Sequence, residues 1–232
     1  MGYAYRHLGD FANAEKAFTK YIELIPNDPN PYDSYGELLL KMGRFHDSIV
    51  QYRKALAIDS NFLASHLGIT GDLMYSGKAA DAAAEIQQIA KKARSDADQL
   101  TAMFATTSLD VYTGKMAQAV ASLDQQHAVA AKRVDTFAMI AGLQAKAAIY
   151  TEMGNAAQAQ AMYDQVITLV DASTLSEAAK ANQHLFHHNA LARVALTRKD
   201  IAAAKTEADA FAKVALGSGS PGQARQAHEL GG

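Results

Sequence analysis

The histidines are the residues in this chain best spaced for chemistry. In Gln183-His-Leu-Phe-His-His188, His184 and His188 stand four residues apart. On a helix that spacing sets two imidazoles on one face, where they could chelate zinc. The glutamate of an H-E-x-x-H zinc hydrolase is missing, because position 185 is leucine. No third ligand stands nearby, so packing or surface histidines are the preferred reading. A metal-dependent enzyme using His184 and His188 is a remote alternative. Serine, histidine and aspartate occur along the chain, but no spacing links a nucleophile to a base. Neither a glycine-rich phosphate loop nor a G-x-S-x-G elbow is present. The sequence therefore yields no catalytic, metal or cofactor site.

Charged and apolar groups offer binding chemistry instead. Asp33, Glu37 and Lys41 recur at four-residue spacing. They either line a binding face or form solvated pairs worth about 0.3–0.5 kcal/mol each. Met74, Tyr75, Met103, Phe104, Val111 and Tyr112 read first as core. Their second reading is an apolar groove floor, where flexible methionines adapt to a partner helix. Lys91-Lys92-Ala-Arg94 ends a predicted helix, where cations suit the helix dipole without needing nucleic acid.

Composition narrows the field. The 232 residues carry 22 Lys and Arg against 24 Asp and Glu, a net charge of −2, which gives no general attraction for nucleic acid or anionic lipid. Cysteine is absent, which excludes disulfides, thiolate metal sites and cysteine catalysis. No apolar run approaches the roughly 20 residues that span a bilayer. The N-terminal residues lack the pattern of a signal peptide. Alanine is abundant and proline rare, which favours helices throughout.

Spacing then organises those helices. Gly9, Gly43 and Gly77 lie 34 residues apart, in the related stretches LGDFANAEKAF, MGRFHDSIVQY and SGKAADAAAEI. A fixed period of this size marks stacked supersecondary units. Residues 2–25 are predicted to hold the end of one helix, a turn at Gly9-Asp10 and a second helix, stopped by Pro26-Asn-Asp-Pro-Asn-Pro31. Residues 31–42 and 45–58, then 62–76 and 79–93, repeat the pair. The next turn signals are Gly114, Gly154 and Lys199-Asp200, at the longer intervals of 37, 40 and 45 residues. Each is followed by a small residue at the expected offset, Ala119, Ala159 and Ala204. These predict three further pairs with lengthened helices. The last first-of-pair helix is expected to start after Thr174, with Glu177 completing a capping box.

The pattern resembles the tetratricopeptide repeat family, whose repeats carry small residues and aromatics at fixed positions. The second repeat fits best, with Tyr32, Gly36, Gly43, Phe45, Ser48, Tyr52 and Ala55 in register. The first fits through Gly9, Phe11, Ala14, Phe18 and Pro26. The third keeps Gly77 and Ala82 but has Ala79 and Ile86 for the aromatics. The resemblance implies an all-α, right-handed solenoid of about six helix pairs over residues 1–216. Three regular repeats (1–28, 29–62, 63–96) would precede three longer ones (97–134, 135–172, 173–216). Residues 217–232 would form a flexible linker and the start of a possible further helix. The chain thus begins and ends within a repeat, which suggests a fragment of a longer protein.

The resemblance also implies a concave groove lined by the first helix of each pair. Its peptide-contacting positions map onto Asn30, Asp33, Glu37, Leu40 and Lys41, then Gln144 and Glu152, then Asn189 and Arg193. The lysine and arginine clamp with which some relatives hold a C-terminal carboxylate is absent from the early repeats. The expected function is a non-catalytic scaffold that holds a peptide or helix of a protein partner, with a basic ligand segment near the second repeat. The alternative is head-to-tail homo-oligomerisation through the unfinished terminal repeats.

Overall fold

The structure is a computed structural model and describes residues 1–218 and 221–231. The described residues form thirteen α-helices and one 3-10 turn, and no strand. They fall into two compact units, residues 1–115 and 116–232.

The first unit contains α1 (Gly2–His7), α2 (Phe11–Leu24), α3 (Pro29–Lys41), α4 (Phe45–Ile58), α5 (Leu63–Tyr75), α6 (Ala79–Lys92) and α7 (Asp96–Tyr112). Each helix packs on its successor, and α5 also touches α3 and α7. The second contains α8 (Met116–Lys132), α9 (Thr136–Glu152), α10 (Ala156–Ala172), α11 (Glu177–Thr197), α12 (Ile201–Ala215), the turn Leu216–Ser218 and α13 (Pro221–Gly231). Consecutive helices again pack together, and α9 also meets α11. The expected lengthening is present: α7, α8, α9 and α10 have 17 residues each, against 13 or 14 in α2 to α6.

The turn residues account for the helix boundaries. Gly9, Gly43, Gly77, Gly114 and Gly154 all adopt φ between +73° and +76°. There a side chain would clash with the following carbonyl, and glycine has none. At each turn the residue after the glycine donates its N–H back to the carbonyl five residues earlier, as Arg44 does to Leu39 at 2.9 Å. Lys199 takes the same place with φ 60°. A seventh turn of this form joins α8 to α9 through Val134, at φ 54°, with Asp135 N–H bonded to the Ala130 carbonyl at 3.0 Å. The sequence gives no glycine signal there.

Asp10, Asp28, Ser95, Asp135, Asn155, Ser176 and Asp200 each cap a helix with a side-chain oxygen. The cap of α11 corrects one expectation, since it is Ser176 and not Thr174. Ser173 holds the preceding segment out of the helix, donating to the Val170 carbonyl at 2.6 Å and accepting from Leu175 N–H at 3.3 Å. Leu175 packs against Ile140, Leu143, Val166 and Val170, which fixes it outside the helix.

Small residues set the helix spacing. Ala14, Ser48, Ala82, Ala119, Ala159 and Ala204, all predicted for one repeat position, are buried. The Tyr52 ring lies between Gly36 and Gly68, and a Cβ added at Gly68 would fall 2.2 Å from Tyr52 Cζ. Phe18 lies against Gly2 in the same way. Phe211 is fully buried with Leu185, Ala215 and Ala227, and Leu230 closes over this cluster. The helix expected at the C-terminus is therefore α13, packed on its own chain. The linker expected over residues 216–222 is corrected at both ends, since Leu216–Ser218 form the 3-10 turn and α13 already starts at Pro221; residues 219 and 220 lie outside the described residues.

Candidate functional site

Groove positions in the first unit are engaged within the fold. Asn30 donates its amide to the Tyr21 hydroxyl at 3.0 Å, linking α3 to α2. Asp33 accepts from Ser65 at 2.7 Å, linking α3 to α5. Glu37 is ion-paired with Arg6 of α1. Burial pushes the Asp33 carboxyl up, and the Ser65 hydrogen bond partly offsets it. Lys41 is exposed and edges a shallow hollow with Leu40, Gly43, Phe45 and Tyr75, the last two stacked at 5.7 Å. The acidic pair expected to meet a basic ligand segment thus spends its charge on the ties to α1 and α5.

The second unit assembles the predicted positions differently. Gln144, Glu152, Asn189 and Arg193 all line one cleft of about 510 Å³. Its walls are α9, with Ala148 and Thr151, and α11, with Gln183, Phe186 and Ala190, and Tyr163 enters from α10. That volume is of the size that holds a small ligand or a few residues of a peptide. Gln144 donates to Gln183 at 2.9 Å, crossing from α9 to α11. Asn189, nearly buried, accepts from Arg193 Nε at 3.1 Å one helical turn on. Burial raises the Tyr163 phenol, and the Arg193 charge acts against that shift.

Four residues reach this cleft by spacing legible in the sequence. Thr151, Tyr163, Gln183 and Phe186 were not among the expected groove residues. Gln183 and Phe186 share the helical face of Asn189 and Arg193, a signal the periodicity contains. Tyr163 comes from the second helix of a pair, which the groove expectation leaves out.

The histidine pair does not converge. His184 Nε2 lies 2.8 Å from Asp171 of α10, whereas His188 Nδ1 lies 2.6 Å from Glu207 of α12. His187 lies 3.6 Å from Asp164. The two imidazoles at four-residue spacing therefore brace α11 against different neighbours. No cluster of three or more metal-ligating side chains occurs among the described residues. In the first unit, His66 and Arg53 both bind the buried Glu85, with Arg53 Nη1 and Nη2 at 3.1 and 2.6 Å. This fork ties α4 and α5 to α6 and leaves Glu85 no free oxygen to act as a base. Among the described residues no helix is long and apolar enough to cross a membrane.

Stacked helix pairs closed by left-handed glycine turns, with small residues buried between them, define a helical repeat protein. The tetratricopeptide repeat sequence profile matches residues 1–28, 30–62 and 141–169. Those three stretches are tetratricopeptide repeats. Its fold is similar to that of a tetratricopeptide repeat protein from Parabacteroides merdae, with TM-score 0.67 and 13% identity over 99% of this chain and 80% of that one. It is also similar to PilW, a type IV pilus biogenesis factor, with TM-score 0.64 and 13% identity over 91% of this chain and 89% of that one. A thermophilic repeat protein from Thermus thermophilus gives TM-score 0.60 and 16% identity over 82% of this chain and 95% of that one. No curated protein matches the sequence. At these identities the likeness concerns the fold.

Proposed function

We propose that this chain is a non-catalytic protein–protein interaction scaffold whose binding site for an extended peptide is the cleft between α9 and α11. The observation that carries this reading is the convergence of Gln144, Glu152, Asn189 and Arg193 on one concavity. Two packed helices present these side chains on a fixed framework, so little ordering is left for the site itself on binding. Amide and hydroxyl groups along the walls suit a peptide backbone, which has a donor and an acceptor at every residue. Fold alone assigns no partner, so the reading rests on the cleft.

The first unit is a weaker site. Asn30, Asp33 and Glu37 already hold α3 to its neighbours, so removing Asp33 and Glu37 perturbs the fold along with any groove. The cleft allows a cleaner test. Ala148 is exposed on its wall, and Ala148→Trp fills the space without touching the core. Peptides selected on the native protein from a random library are expected to lose binding to this variant, while its helical circular dichroism is unchanged. Undiminished binding by all selected peptides moves the site elsewhere.

Head-to-tail assembly is the second reading. The exposed Leu8 and Phe11 at the N-terminal pair favour it. Against it, α13 covers the last pair and turns Arg225, His228 and Glu229 outward.

A further inference from the structure

Three histidines brace α11, and one of them is fitted differently from the other two. His184 Nε2 meets an Asp171 oxygen of α10 at 2.8 Å, and His188 Nδ1 meets a Glu207 oxygen of α12 at 2.6 Å. A proton added to either ring turns that hydrogen bond into an ion pair, so acid keeps those helices joined. His187 has no such partner. Its side chain is only 16% exposed, and its Nε2 stands 3.6 Å from Asp164, beyond hydrogen-bond reach. Its buried Nδ1 has no partner among the described residues. The neutral ring tolerates this with a bare acceptor nitrogen. The imidazolium would carry a buried N–H with no acceptor, which costs more.

The surrounding charges do not change that preference. Burial holds the imidazole below its ordinary value; Asp164 of α10 and Glu207 of α12 oppose the shift, and His184 and His188 on α11 reinforce it. The third helix against α11 is α9, whose Lys146 is paired with Asp124 of α8 and whose Glu152 lines the cleft. His187 also stands directly behind the cleft wall. It follows Gln183 by one helical turn, and Gln183 carries the bridge to Gln144 of α9. Its contact on α10, Asp164, is next in sequence to Tyr163, which lines the cleft.

We propose that His187 is a proton-operated latch of the cleft: protonation releases its ring from the α10 side, shifts the α11 wall and lowers the affinity for the bound peptide. His187 is a positioning residue, since the cleft is lined by Gln183 and Tyr163 and not by the imidazole. No histidine lines the cleft, so a loss of binding over the range where imidazoles take up protons originates behind the wall. In the released state the ring reaches water and accepts a proton more readily, so acid favours release. This inference rests on the cleft reading and adds its regulation by pH.

The test uses peptides from a histidine-free random library, selected on the full chain at pH 7.5. They are made N-acetylated and C-amidated with a pH-insensitive dye, and titrated by fluorescence anisotropy at pH 7.5 and 5.5 at constant salt. Peptides that lose binding to Ala148→Trp are expected to bind the native chain roughly three- to tenfold more weakly at pH 5.5. Tenfold is about the limit for one proton over one pH unit below the ordinary imidazole value. His187→Leu and His187→Gln take up no proton there. Both should bind equally at the two pH values and match the native chain at pH 7.5, with unchanged helical circular dichroism. Two variants of different polarity separate the loss of titration from a change in packing. Equal native binding at both pH values, or an acid loss of native size in either folded variant, overturns the latch and leaves the cleft reading standing. A selection without any cleft-dependent peptide overturns the cleft reading and the latch with it.

Discussion

Asp72 is a carboxylic acid sealed in the first unit. It is fully buried on α5, and neither oxygen has a hydrogen-bond partner among the described residues. The nearby Ser48 hydroxyl donates to the Gly36 carbonyl at 2.8 Å. Burial pushes the Asp72 carboxyl up to about 7, with Ser48 acting the other way. The neutral acid is the form the fold accepts. An acid raised on folding leaves stability intact below its unfolded value and removes it as pH rises toward the folded one. The Asp72 contribution should therefore be lost between about pH 4 and pH 7 and change little above that. The full gap corresponds to roughly 4 kcal/mol as an upper bound. Asp72→Asn keeps the shape without the charge. Urea unfolding at pH 8 should show the variant more stable than native by about 1–3 kcal/mol, with the gain shrinking by pH 5. An equal gain at both pH values would assign the effect to something other than ionisation.

Val134 is a second residue at odds with its place. A β-branched side chain at φ 54° carries a steric cost of about 1–2 kcal/mol that glycine escapes at the five equivalent turns. Val134 is 81% exposed, so its side chain contributes little packing in return. Val134→Gly should raise unit stability by about 0.5–1 kcal/mol once the greater freedom of glycine in the unfolded chain is subtracted. A lower melting temperature in the variant would show that the turn tolerates valine without strain.

Among the elements, α11 does the most work. One face lines the cleft through Gln183, Phe186, Asn189, Ala190 and Arg193. The remaining surface braces it against α10 and α12 through His184, His187 and His188. Burial holds the His187 imidazole below its ordinary value, opposed by Asp164 and Glu207 and reinforced by His184 and His188. Its Nδ1 has no partner among the described residues. A histidine depressed on folding leaves stability intact at high pH and removes it as pH falls below about 6.5, where the unfolded chain takes up the proton. His187→Leu should flatten that loss. As pH falls from 7.5 to 5, the variant is expected to gain stability relative to the native chain. Identical slopes would place the proton uptake on other groups.

At this scale the sequence is most legible where backbone chemistry has no substitute. A left-handed turn favours glycine, so Gly9, Gly43, Gly77, Gly114 and Gly154 mark it openly. The Val134 turn carries no such mark, because strain there is tolerated rather than avoided. Helix α11 starts two residues later than expected because Leu175 is pinned in a core that sequence spacing does not reveal. The site divides similarly. Repeat register leads to Gln144, Glu152, Asn189 and Arg193, yet it cannot distinguish them from Asn30, Asp33 and Glu37, whose side chains serve as ties between helices. That difference depends on which partner lies within reach, as Ser65 does for Asp33.

For the whole molecule, the end of the chain decides between the two modes of use. A stack of helix pairs exposes apolar surface at its ends unless a polar helix covers it. In the second unit α13 does this, burying Ala227 against Phe211 and Ala215. Its Gln223 donates to Asn182 of α11 at 3.1 Å, which fixes its placement on the last pair. Such a cover shields the Leu185 and Phe211 cluster from a second copy. Light scattering behind size exclusion should therefore give a mass near 24.8 kDa that does not change with concentration. Deleting residues 217–232 uncovers Leu185 and Phe211, so the shortened chain should be less stable and its mass should rise with concentration. The opposite pattern, a native chain that associates and a shortened one that does not, would make α13 an exchange element and assembly the function. The predicted pattern makes α13 a cap, and leaves the α9–α11 cleft as the proposed binding surface.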